Sequence, residues 1–154
     1  MTADEAVQTV IIDKLKRLIE ANDMVATREL LNSIRYEKNT SLGLLSYDII
    51  ALDYIVDLND GVAPLSNPDF KDFGTGPSIS QLQKWIDAKG LDLNAFAVRA
   101  NIIKFGTTWY QQGGSHIVTD TINAEAFAQL LELAKPELQN KIKDQWQVLF
   151  KNNR

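Results

Sequence analysis

The chain has 154 residues, enough for one domain with a sizeable core and too few for two comfortable ones. Hydrophobic residues make up 45% and charged residues 23%, which is globular composition and excludes a disordered chain. Lys and Arg number 16 against 20 Asp and Glu, with one His and no Cys; this excludes disulfides, thiol catalysis and thiolate metal sites, and lacks the basic surplus of a free-standing nucleic-acid binder.

The acidic start, Met1 to Glu5, has no signal-peptide pattern, and no apolar run approaches the roughly 18–20 residues of a membrane helix. Residues 4 to 21 read as an amphipathic helix, with Val7, Val10, Ile11, Leu15, Leu18 and Ile19 at spacings of three and four. Thr27 is placed to cap a second, short helix through about Ser33. Alternation over Ile34 to Lys38 then predicts a half-buried strand, and Asn39-Thr40-Ser41 predicts a turn. The apolar run from Leu42 to Ala51 suits a strand pairing back as a hairpin. Leu52, Ile55, Val56 and Leu58 fit helical spacing slightly better than an extended continuation, and Asn59-Asp60-Gly61 ends the element.

Residues 61–77 form a first long loop holding Pro64, Pro68 and Pro77, with Phe70 and Phe73 embedded. Ser78 and Gln81 form a capping box for a helix ending at Gly90, and Asn94 caps a second one ending at Gly106. The short linker between them makes a compact helix pair. Residues 107–116 read as a second loop carrying Trp109 and Tyr110 beside a Gly pair. The β-branched run of Ile117 to Ile122 predicts a third strand. Asn123 then caps a last helix through Phe150, with a kink or break expected near Lys135 because Pro136 cannot donate within a helix.

A sheet this small cannot bury itself, so the terminal helices must cover it. The expected fold is therefore α+β: one domain over residues 1–154, with an antiparallel sheet of two to four strands packed by long N- and C-terminal helices and a central helix pair.

Catalytic material is sparse. His116 is the sole side chain with an ordinary pKa near neutrality, and it follows Gly113-Gly114-Ser115. A zinc site would need three carboxylates or a second chain, and no Gly-x-Ser-x-Gly elbow is present. The glycine pair would cradle an anion only if a helix began at once, whereas Ile117-Val118-Thr119 reads as strand. Asp57 with Asp60 and Asp69 with Asp72 read as solvated loop acids. No catalytic, cofactor-binding or metal-binding residue is assigned. Phe70, Phe73, Trp109 and Tyr110 are candidate interface residues, packing either on the domain's own core or on a partner.

Several strings carry a resemblance. Thr27-x-x-Leu30-x-x-Ser33-Ile34 leads a helix into a strand. Tyr54 is followed by Asn59 at an acid/amide position and then by Gly61-Val62. Trp85-Ile86-Asp87-Ala88-Lys89-Gly90 fits a Trp-Ile-x-x-Lys-Gly ending, and Ala95-Phe96 opens a helix that ends in Gly106. In this order they resemble the tail-completion, or head–tail joining, proteins of the tailed-bacteriophage neck, over most of residues 27 to 110. Asp57 stands where that family often has an aromatic residue, and Thr107-Thr108-Trp109-Tyr110 replaces a Pro-Phe-type segment.

The resemblance implies a structural virion protein without catalytic residues, metal or cofactor, assembled in the host cytoplasm and located in the neck. It implies a homo-oligomeric ring whose partners are its own copies, the portal or adaptor side, and the tail tube or terminator, with no membrane. Genomic DNA would pass through the channel without specific binding, which the acidic balance suits. A tail terminator or another connector ring protein is the nearest alternative. Outside that class stand a non-virion protein-binding module that uses the acidic helical surface and a small hydrolase built on His116.

Overall fold

The computed structural model describes residues 1–24, 28–41, 44–65 and 77–152, with side chains undescribed at residue 44 and over 145–152. The first helix begins as α1 (Ala3–Val7), widens into a π-helical turn over Gln8–Ile12, and continues as α2 (Asp13–Ala21). Thr2 starts it with a capping box, its hydroxyl accepting from the Glu5 N–H while the Glu5 carboxylate takes the Thr2 N–H. Three successive residues, Val10, Ile11 and Ile12, are buried in the π turn. An amphipathic helix buries one stripe; this one is covered on two sides. Ile12, Leu15 and Ile19 face the main core, whereas Val10 and Ile11 meet Ala126 of the last helix.

After α3 (Glu29–Ser33), β1 (Arg35–Ser41) and β2 (Leu44–Ile50) form a two-stranded antiparallel hairpin in the register Arg35↔Ile50 to Ser41↔Leu44. Thr27, the expected cap of α3, lies outside the described residues. Asn39, Thr40 and Ser41, expected as a turn, belong to the strand, and residues 42 and 43 lie outside the described residues. Tyr36 and Ile49 pack against the core formed by Ile12, Leu15, Ile19, Leu30, Leu31, Ile34 and Ile117. The chain then enters α4 (Ile55–Asp60). The Ser33 hydroxyl joins the two halves of this region by accepting the Leu52 N–H and donating to the Leu30 carbonyl.

The central pair is α5 (Ile79–Lys89) and α6 (Ala95–Phe105). Ser78 and Gln81 form the capping box, Gly90 takes the left-handed conformation at φ 63°, and Asn94 accepts from the N–H groups of Phe96 and Ala97. Leu82, Ile86 and Ala95 give the pair a core of its own, separate from the main one. Hydrogen bonds at its margins tie it to the body: Leu65 N–H to the Ile103 carbonyl (2.9 Å), Thr107 N–H to the Val62 carbonyl (2.9 Å), and Lys89 Nζ to Asp23.

Two expectations fail between residues 107 and 122. The second loop contains a helical turn, α7 (Thr108–Gln111), capped by the Thr107 hydroxyl. The expected third strand is also a short helix, α8 (Ile117–Thr121). Its cap comes from far along the sequence: Asn59 Oδ1 accepts the N–H groups of Val118 (2.9 Å) and Thr119 (3.4 Å). Strand preference is a property of context, and a β-branched run follows the hydrogen-bonding groups it meets.

The last element, α9 (Ala124–Asn152), starts under the Asn123 cap and passes Pro136 without a break. Pro136 leaves the carbonyl four residues back without its helical donor, and Glu132 and Pro136 are both on the exposed side of the helix. α9 packs on α1 and the π turn, and Glu137 accepts the Ala3 N–H (2.6 Å). The architecture is α+β, with the first helix lying between the hairpin and α9. No helix among the described residues is long and apolar enough to cross a membrane.

Candidate functional site

His116 occupies a tight turn at φ 57° and is exposed. Its carbonyl accepts from Asp120 N–H and Thr119 Oγ1. Among the described residues its ring makes no hydrogen bond, and no three His, Asp or Glu side chains stand together as metal ligands. A helix does begin right after the Gly pair, contrary to expectation, yet the turn offers no anion cradle. Gly113 and Gly114 donate to the carbonyls of Tyr110 and Trp109, and Ser115 and His116 both donate to the Asn59 carbonyl. Asp57 and Asp60 are exposed, and Asp60 accepts from Asn59 Nδ2 (2.6 Å). Asp69 and Asp72 lie outside the described residues.

Charge is organised instead around the start of the first helix. Asp4 accepts from the Tyr47 hydroxyl and from Lys38 Nζ (2.9 Å), joining α1 to the hairpin. The Tyr47 hydrogen bond, followed by the Lys38 ammonium, holds the Asp4 carboxyl below its ordinary value. Burial, and then the carboxylate beside it, pushes the Tyr47 phenol up. Lys141 and the Ala3 N–H hold Glu137 low in the same way. This cluster is a clamp among α1, the hairpin and α9.

A concave feature lies elsewhere among the described residues. Between the central helix pair and the body runs an apolar groove of about 810 Å³. Leu82 and Trp85 of α5 and Val98, Ile102 and Phe105 of α6 form one wall. Leu58, Val62 and Trp109 form the other. Among the described residues, Asp23 and Asp57 are the charged members of the lining, with no Lys, Arg or His beside them in it. Its volume falls in the size range of ligand-binding clefts. Local backbone contact fixes its floor: a Cβ on Gly106 would come within 2.7 Å of the Val62 carbonyl, and one on Gly61 within 2.1 Å of the Tyr110 nitrogen. Both glycines also have positive φ, 75° and 77°, so glycine is required twice over.

A second apolar surface lies on α9. Phe127, Leu131, Leu138 and Ile142 are all exposed, Phe127 to 62%. Their spacings of four, seven and four put them on one side of the helix, beside the buried face of Ala126, Leu130 and Ala134. Single exposed apolar residues are ordinary; here four lie in one row over about four turns.

Of the candidate interface residues, Trp109 lines the groove and Tyr110 lies exposed on the neighbouring turn of α7, its backbone against Gly61. Phe70 and Phe73 lie outside the described residues. Sequence reading named no candidate on the last helix, because an apolar helical stripe is ordinarily a core face. It missed the groove because the groove forms between elements distant in sequence. Compared with protein-family models, curated proteins and solved structures, the chain finds no match in any of the three.

Proposed function

We propose that this chain is a structural subunit of a tailed-bacteriophage neck, of the tail-completion type, that assembles into a homo-oligomeric ring between the portal or adaptor side and the tail. The observation that carries the reading is the pairing of two separate apolar surfaces, the groove beside the central helix pair and the stripe on α9, in one small protomer. A ring subunit needs two different faces, because each copy meets one neighbour on either side. The order of elements supports the same reading, with a helix entering a hairpin and then a capped helix pair ending in glycines. The net charge of -4 suits a lumen past which DNA slides, since like charge prevents sticking to phosphates.

Electron micrographs of the purified protein, alone and with neck-deficient particles, test the reading. The expected result is annular assemblies with a central channel, and added density at the portal vertex. Protomer-sized particles alone, with no density added at the vertex, would overturn it.

A further inference from the structure

We infer that the α9 stripe of one protomer seats in the apolar groove of the next, a head-to-tail contact between two copies of this chain. The inference deepens the assembly reading above and rests on it. No described α9 residue lines the groove, so the two surfaces are separate places on one protomer.

Charge points to the same pairing. Among the described residues lining the groove, Asp57 is exposed and has no ion-pair partner, whereas Asp23 is paired with Lys89 (2.6 Å). Helical periodicity puts Lys135 and Lys141 at the two edges of the α9 stripe, with their ion-pair partners Glu132 and Glu137 further round the helix. A stripe bordered by two ammonium groups in exposed, exchangeable ion pairs therefore faces a groove with the unpaired Asp57 carboxylate. The competing arrangement, stripe against stripe across a two-fold axis, lacks this match. The stripe from Phe127 to Ile142 has its midpoint at Ala134 and Lys135, so a two-fold pairing would bring Lys135 against the partner's Lys135.

Size bears on the product. The stripe is about 22 Å long and one helix, about 10 Å, wide, roughly 220 Å². A standard stable interface covers roughly 800 Å² per partner. One contact is therefore weak, and a closed ring, in which every protomer uses both surfaces, gains from the linked second contact.

Mixing two one-sided variants of the full chain tests this. One carries Leu131→Glu and Ile142→Glu and keeps its groove. The other carries Trp85→Glu and Phe105→Glu and keeps its stripe. All four positions are exposed, and circular dichroism checks that both variants fold. If either double variant unfolds, the Ser substitutions at the same positions replace it. Sedimentation velocity over a rising concentration series should show each variant alone at protomer mass throughout, and the mixture forming a 1:1 dimer that grows with concentration and goes no further, because one weak productive contact remains. A groove variant that assembles like the unmodified chain, or a mixture that stays at protomer mass while the unmodified chain assembles, would overturn the contact and leave the ring reading standing. An unmodified chain that stays at protomer mass throughout would overturn both.

Discussion

Asn59 shows how much of this fold one side chain can direct. It is 8% exposed, and its amide and carbonyl together serve Asp60, Ser115, His116, Val118 and Thr119. The expected cost of Asn59→Ala is about 1–3 kcal/mol, the sum of a lost cap and buried N–H groups left unpaired. Urea unfolding measures it. A change below about 0.5 kcal/mol would show that water replaces the amide without loss. From sequence, Asn59 was legible as the end of an element. Its capping of α8 was not, because the partners lie nearly sixty positions away and no local pattern records them. Thr107 differs: a hydroxyl three residues before the N–H it caps is a local signal, and the glycine pair that follows drew the reading toward a loop.

At the scale of elements, helices with their own local signals were readable. Ser78 with Gln81, Asn94, Gly90 and Asn123 all cap as their positions suggest. Periodicity likewise predicted the hairpin and the first helix, though not the π turn that lets that helix bury two sides. Elements held by others, such as α8, were misread. The clamp around α1 gives this scale its prediction. Asp4 and Glu137 are held below their ordinary values in the fold, so they bind protons more readily when unfolded. Their contribution is complete above the ordinary carboxylate range of about 4 and is lost as pH falls through the folded values. Melting temperature should drop on acidification from pH 5 toward pH 3. A chain carrying Asp4→Asn and Glu137→Gln should melt lower at pH 7 and respond less steeply to acid. An unchanged acid profile in that variant would show that the clamp contributes nothing to stability. Both carboxylates are partly exposed, so solvent screening keeps the effect small.

For the whole molecule, composition and periodicity were enough to establish the α+β class, because a short hairpin between long amphipathic helices leaves few ways to build a core. They did not reveal where the apolar surface is in excess. The pattern of Phe127, Leu131, Leu138 and Ile142 is the pattern of a core stripe, and only the placement of α9 on α1 shows that the adjoining face satisfies the protomer. The groove, likewise, depends on the central pair having a small core of its own and meeting the body along one edge. The proposed ring would cover both surfaces. Sedimentation velocity on the unmodified chain over a rising concentration series tests this most directly. The expected result is a shift from protomer mass to one closed oligomer of fixed size; a single species at protomer mass across the series would contradict it.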